Sequence, residues 1–328
     1  MPELPEVEFT ARQLRATVPG ALIRDVQVFW ERTVGTPDVA VFRSLLIGQR
    51  ILQVRRRGKY LLFDLGRAET PELLMTVHRR MTGNLYLLSP GWEIDSRARV
   101  ENPLAWKTRG PDFIYHASTP APGVPLLVKE EEAVYYDPAE LSHCRVCFDF
   151  ADERRLLFND ARKFGRIELW PAEREDEALA GLGPEPLSAA FTVEALTSHL
   201  AGRKGPIKVV LLAQETVAGL GNIYADEALY YARIHPLRPA NSLTETELIE
   251  LHAGVVSVLA MGIEHGGTTF SGYRGLRGEL GENYDHLKAY YKAGDIKICA
   301  RCGTQITSQV IAQRTAHFCP SCQRPTSE

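Results

Sequence analysis

Long uncharged apolar runs are missing from this chain of 328 residues. None approaches the ~18 to 20 residues that a membrane span needs. The amino-terminus is acidic and then amphipathic, without the basic and apolar blocks of a secretory signal. No internal repeat is present. Cysteines number only six, and nothing else suggests an oxidising compartment. These absences point to a protein of the cytoplasm, nucleoid-associated in a bacterial cell, with no membrane partner. A positive net charge is missing too: the formal value is −3, which argues mildly against nucleic acid. Its distribution matters more. Residues 101–140 carry −4, so the remainder carries +1, and Arg50, Arg55, Arg56, Arg57 and Lys59 crowd into ten residues. A local basic surface on a near-neutral protein still binds phosphate backbones.

The hydrophobic share of 45% and charged share of 24% describe an ordinary globular protein, long enough for two domains and a small module. Residues 4–18 read as an amphipathic helix with Val7, Leu14 and Val18 on one face. Strand-like runs follow at 22–30, 50–57, 60–65, 73–77, 84–88, 145–150, 155–159 and 166–169. That spacing predicts an antiparallel sandwich or barrel, interrupted by an acidic surface insertion at about 101–140. From 173 the texture turns helical, with periodic segments at 192–201, 205–216, 223–233 and 245–264. Thr244 and Glu247 form a capping-box signature for the last of these, and Gly266-Gly267 ends it. The fold expected is α+β: an antiparallel β-sandwich led by a helix over 1–172, a helical domain over 173–290, and a cysteine module over 291–328.

Four motifs carry chemistry. Met1-Pro2-Glu3-Leu4-Pro5-Glu6 leaves a secondary amine at the terminus once Met1 is removed. A free α-amine titrates near ~7.7, so a Pro2 amine flanked by Glu3 and Glu6 is a workable Schiff-base former; the plain alternative is two prolines starting a helix. Cys299-x2-Cys302 and Cys319-x2-Cys322, sixteen residues apart, have the spacing of one structural Zn2+ site, with disulfides as the alternative. The residues between them read as a β-hairpin with Arg314 near its tip. A further pair, Cys144 and Cys147, lies in a strand and reads as packing. Gly219-Leu220-Gly221-Asn222 joins two helices. Asn222 is a natural N-cap, and such a turn either binds phosphate or is a plain corner. Finally, Arg162-Lys163-Phe164 and Met81 sit on turns where a protein that everts a base needs wedges. Taken alone, ordinary hairpins explain them better.

Together these residues resemble the bacterial formamidopyrimidine-DNA glycosylase family, whose sister is endonuclease VIII. The likeness rests on the PELPEVE start, RRRGKYLLFDL at 55–65, the GLGNIYADE turn and the four-cysteine finger with AQR-x4-C. It covers nearly the whole chain except about 90–142. The resemblance implies a bifunctional DNA glycosylase and abasic-site lyase of base excision repair. The substrate implied is double-stranded DNA carrying 8-oxoguanine, formamidopyrimidines or abasic sites, bound by a monomer. It implies Pro2 as nucleophile, Glu3 as proton carrier, and Lys59 as a phosphate contact assisting catalysis. Glu6 and Glu227 would shape the pocket and hold the N-terminus. Lys208, Asn222 and Arg314 would clamp the lesion phosphate, and Met81, Arg162 and Phe164 would fill the gap left by the base. The second domain becomes a helix–two-turn–helix unit and the third a zinc finger. Leu4, rather than glycine, and the 268–287 loop, whose length is that expected of the loop that caps 8-oxoguanine in the family, favour oxidised purines over the pyrimidines of endonuclease VIII. A non-catalytic lesion binder is the other rival. Departures are Arg79-Arg80, where the family usually has Leu-Gly and either added phosphate contacts or an altered probing of the minor groove is expected, Arg145 in place of a histidine, and loop residues such as Tyr284.

Overall fold

The opening helix α1 (Leu4–Thr17) belongs to two cores at once. Pro5 suits its first turn, and the Glu6 carboxylate takes the Glu3 N–H at 2.7 Å, one arm of a capping box. Val7, Ala11 and Leu14, one face at helical spacing, are fully buried in the sandwich together with Val18. Leu4 points the other way, into the helical core. The N-terminus is thereby set at the junction of two domains.

The computed structural model describes residues 1–90, 143–270 and 272–325, with four short strands between them: Glu93–Ile94, Thr108–Arg109, Leu127–Lys129 and Glu132–Val134. Apart from those strands, the expected insertion at about 101–140 lies outside the described residues. Two sheets form the sandwich. The first has the order β1 (Ile23–Val28), β7 (Cys144–Phe150), β8 (Arg155–Asp160), β6 (Gly83–Leu88). The second runs β2 (Val34–Thr36), β9 (Arg166–Pro171), β5 (Leu73–His78), β4 (Tyr60–Gly66), β3 (Arg50–Arg57). All pairs are antiparallel except β2 with β9. Val26, Phe148 and Phe158 of one sheet meet Val54, Phe63, Val77 and Ile167 of the other. Sequence periodicity missed β2 and the eight-residue helix α2 (Val39–Leu46). Only Phe42 and Leu46 of that helix are buried, too few to show a period, although Asp38 caps it through Ala40 and Val41 N–H. Cys144 and Cys147 are packing residues, as expected, but for another reason. A register irregularity between Cys144 and Val146 breaks strict alternation, and both thiols enter one apolar cluster with Tyr86 and Leu157.

The helical unit consists of α3 (Val193–Leu200), α4 (Ile207–Leu212), α5 (Asn222–Tyr231) and α6 (Glu245–Glu264). Thr244 and Glu247 make the expected capping box. By length and composition the 20-residue α6 is apolar enough to cross a membrane, although its glutamates keep it from being a long uncharged run. Here it is a core helix: Leu251, Val255 and Leu259 are fully buried, and Gly262 lets Tyr224 of α5 approach where a Cβ would stand 2.6 Å from its ring. Beyond it, β10 (Thr307–Ile311) and β11 (Arg314–Phe318) form the finger hairpin.

One expectation fails. The arginines of β3 do not form a phosphate-binding surface. Arg55 is held by Asp64 and Glu175, both at 2.7 Å. Arg56 is buried between Glu8 (2.8 Å) and Glu185 (2.5 Å), and Arg57 also reaches Glu185 (3.1 Å). The run fastens the β3–β4 hairpin to α1 and to the linker between domains. Arg56→Ala removes a cation shared by two largely buried carboxylates that keep other donors, Arg15 on Glu8 and Arg57 on Glu185, so a urea melt should show a loss of about 2 kcal/mol; a change within about 0.5 kcal/mol is what a surface arginine would give.

Candidate active site

Around the N-terminus the chain buries two carboxylates. Glu3 Oε1 accepts the Ile223 N–H at 3.0 Å and Oε2 the Tyr224 N–H at 3.4 Å, both in the first turn of α5, where the helix dipole favours a negative charge. Burial pushes Glu3 up to about 7, with Lys59 opposing and Glu6 adding. At neutral pH this acid is therefore poised to give or take a proton. Glu6 accepts three donors, each at 2.7 Å: Glu3 N–H, the Tyr224 hydroxyl and Thr268 N–H. The α-amine of Met1, beside them, is held below its ordinary value by burial, with Lys59 and Arg79 adding and Glu3 and Glu6 opposing. Pro2 itself is buried.

Glycines make this packing possible. A Cβ on Gly221 would lie 2.2 Å from the Glu3 carboxyl carbon, and one on Gly267 would lie 2.8 Å from Glu6. The GLGN turn is thus shaped around Glu3. Its N-cap is Gly221; Asn222, expected there, is the first residue of α5 and turns its amide to the finger. At the β3–β4 tip, Lys59 is buried and donates to the Leu220 carbonyl at 2.8 Å. Burial lowers it, with Arg314 adding and the two glutamates opposing. Glu3, Glu6 and Lys59 thus converge on the N-terminus.

Of the three residues expected to clamp a phosphate, Lys208 and Asn222 are engaged within the protein and Arg314 is exposed. Lys208 is fully buried, its ammonium held by Asp226 at 2.6 Å and the Thr315 carbonyl at 2.8 Å. The same carbonyl accepts from Asn222 at 3.0 Å. Both residues meet at the start of β11, next to exposed Arg314; burial lowers Lys208, with Asp226 opposing and Arg314 adding. Asp226 also accepts the His317 N–H at 2.9 Å and faces its Nδ1 at 3.0 Å. Glu227 is elsewhere. Instead of touching the N-terminus, it takes the N–H groups of Lys288, Ala289 and Tyr290 at 2.7–2.8 Å and fixes the strap leading to the finger.

Met81 (38% exposed) and Phe164 (51% exposed) stand out from neighbouring turns, with Arg162 5.0 Å over the Phe164 ring. Asp160, fully buried, joins the two turns: it bonds the Thr82 hydroxyl and accepts the N–H groups of Arg162 (3.2 Å) and Gly165 (2.7 Å). Arg145 donates to its carbonyl at 2.8 Å. His78 is pushed down to about 3 by burial and stays neutral, so its Nδ1 accepts the Arg80 N–H at 3.0 Å and shapes the turn before Met81. Arg79 corrects another expectation: it is buried in the interior and is no phosphate contact; only Arg80 is exposed. Asp160, Thr268 and Asn84 escaped the sequence reading because no spacing marks them. Tyr224 and Asp226 lay within the GLGNIYADE motif and were legible there.

Cys299, Cys302, Cys319 and Cys322 bring their sulfurs within 4.8 Å of one another. The pairs at 3.5 and 3.9 Å match the ~3.8 Å edge of a tetrahedron built on metal–sulfur bonds of ~2.3 Å. The set fits one structural Zn2+. The Tyr230 hydroxyl lies 3.3 Å from Cys299 sulfur, and Arg301 donates to the Tyr230 and Tyr231 carbonyls at the end of α5. The finger is therefore seated on the helix that carries Asn222 and Asp226.

Family models match three stretches of the chain. They are the formamidopyrimidine-DNA glycosylase N-terminal domain over 1–167, its H2TH domain over 182–273, and the zinc finger found in FPG and IleRS over 297–325. The formamidopyrimidine-DNA glycosylase of Symbiobacterium thermophilum is 41% identical over 98% of this chain and 89% of its own length. That of a Roseiflexus species is 38% identical over 99% and 100%. Among solved structures, the Lactococcus lactis Fpg bound to DNA with an abasic site is 30% identical, with a TM-score of 0.75 over 98% of this chain and 99% of that one. The wild-type Lactococcus enzyme with DNA containing an oxidized pyrimidine has the same identity and TM-score over 98% and 100%.

Chelation should unfold the finger and, through Thr315, loosen Lys208 and Asn222. A thermal melt with chelator should show an early transition lost on adding Zn2+ back; an unchanged melt would contradict the metal assignment.

Proposed function

The chain belongs to the formamidopyrimidine-DNA glycosylase family, and from that premise we propose how its residues excise a damaged base. It is a DNA glycosylase and abasic-site lyase of base excision repair. The observation that carries the reading is the Glu3 carboxyl, buried against the start of α5, near neutrality in its titration and next to the terminal amine. After Met1 is removed, the neutral Pro2 nitrogen attacks C1′ of the everted nucleotide; the bond to the base breaks, and the base leaves with the electron pair and takes up the proton that the Pro2 nitrogen sheds. Glu3 delivers a proton to the ring oxygen as the sugar opens to the iminium. Loss of a C2′ proton then expels the 3′-phosphate, a second elimination expels the 5′-phosphate, and water releases the enzyme. Lys59 supplies positive charge beside this centre. Arg314 leads the phosphate contacts, with Lys208 and Asn222 behind it, and Met81, Arg162 and Phe164 occupy the vacated stack. Zn2+ serves only to hold the finger.

Oxidised purines are the proposed substrate, on the strength of Leu4 and the long 268–287 loop. The second reading, oxidised pyrimidines, gains support from the Lactococcus complex with an oxidized pyrimidine. The relatives are bacterial; we place the protein in the cytoplasm, at the nucleoid, as a monomer on duplex DNA.

Borohydride trapping on duplexes carrying 8-oxoguanine opposite cytosine, or thymine glycol, tests this. An adduct mainly on 8-oxoguanine is expected. Trapping mainly on thymine glycol overturns the purine preference, and no adduct on either, from protein shown by intact mass to lack Met1, overturns the enzyme. The rate of trapping should be bell-shaped in pH. It falls at low pH as the amine is protonated, and above about pH 7 as Glu3 loses its proton. Gly221→Ala, which drives a methyl into the Glu3 carboxyl, should slow excision by about 100-fold in a folded protein; a rate near wild type would show that Glu3 need not sit there.

A further inference from the structure

Arg79 is 1% exposed, and among the described residues its hydrogen-bond partners are all neutral. Nε donates to the Gly83 carbonyl at 2.7 Å and Nη1 to the Thr10 hydroxyl at 2.8 Å. Nη2 donates to Asn84 Oδ1 and to the Arg274 carbonyl at 3.3 Å. The guanidinium lies 5.2 Å over the Tyr273 ring. Burying a cation without a carboxylate is costly, so apolar packing does not explain its presence. The fork geometry of guanidinium does: it reaches helix α1, strand β6 and the 268–287 loop at once. Asn84 completes the junction, accepting the Arg274 N–H at 3.2 Å and donating to the Gly272 carbonyl at 2.6 Å. The same loop segment is bound further on, where Leu87 N–H donates to the Leu276 carbonyl at 3.1 Å and Leu276 N–H to Gln13 at 2.7 Å. Gly272 and Asn84 also line, with Thr82 and Asp160, a cavity of ≈ 120 Å³ beside the Met81 turn. Loop and wedge turn therefore share one wall, and Arg79 lies just outside it.

We propose that Arg79, with Asn84, is a positioning residue for base recognition: it locks residues 272–276 onto α1 and β6 before DNA binds, so that the loop meets the everted purine already ordered. This rests on the reading that the 268–287 loop covers the damaged base. An ordered loop matters for excision of a base and not for cleavage at a site that has none.

The test compares Arg79→Leu, Arg79→Lys and Asn84→Ala with the wild type. Single-turnover rates are measured on a duplex with 8-oxoguanine opposite cytosine and on one with a ready-made abasic site, alongside trypsin cleavage at Arg274 and Arg277. Arg79→Leu and Asn84→Ala should lower the ratio of base excision to abasic cleavage about tenfold or more, and should speed trypsin cleavage; the loss of the Arg79 charge beside the amine acts on both substrates alike and cancels in the ratio. Arg79→Lys, which keeps the charge and loses the fork, should behave like leucine. An unchanged ratio of the two rates with unchanged proteolysis overturns the proposal. So does a strictly parallel fall in both rates with an alkaline shift of the pH profile, since the charge on the amine would then be the whole of Arg79's contribution. If the wild type cleaves neither duplex, the glycosylase reading fails instead, and the trypsin comparison alone decides whether Arg79 locks the loop.

Discussion

The buried carboxylate of Glu6 is the constraint on which the rest depends. Its three donors come from the chain terminus, from α5 and from the segment after α6. A carboxylate this deep is tolerable only when fully hydrogen-bonded, so those three segments are obliged to meet. With them met, Leu4 and Val7 go into different cores, Glu3 falls against the first turn of α5, and the amine is left where sandwich and helical unit join. The two glycines that face these carboxylates, Gly221 and Gly267, are the local cost of the arrangement: neither position has room for a Cβ.

Charge is used sparingly. Most of the arginine-rich strand is spent on Asp64, Glu8, Glu175 and Glu185, joining sandwich to linker. Lys208 is neutralised by Asp226. What remains exposed near the site is a small set, including Arg80, Arg162 and Arg314, which reconciles a net charge of −3 with binding to a polyanion. Few neutralised phosphates imply a shallow salt dependence. Affinity must then come more from the everted nucleotide and the wedges than from general attraction.

The architecture was legible because it is written in periodicity. Alternation marked the eight long strands within a residue or two, helical spacing marked α1 and α3–α6, and the cysteine spacing marked the metal site. Short elements such as α2 were not legible, since two buried residues make no period. Among site residues, motif position identified which side chains gather but not how they are oriented. Nothing in the spacing distinguishes Arg79, enclosed in the interior, from Arg80, which is exposed. Nor does it show that Lys208 and Asn222 share the Thr315 carbonyl, or that Glu227 faces residues 288–290. Side-chain direction at a domain junction is set by tertiary packing, which a local pattern does not contain.

The most direct test of the account is a carbon-13 NMR titration of the glutamate carboxyl groups, with Glu3→Gln assigning the resonance. Burial between α1 and α5 predicts a midpoint for Glu3 at about 7. A midpoint in the ordinary range near ~4.3 would mean that Glu3 is solvated and charged throughout, and would contradict the role we propose for it as the proton carrier beside Pro2.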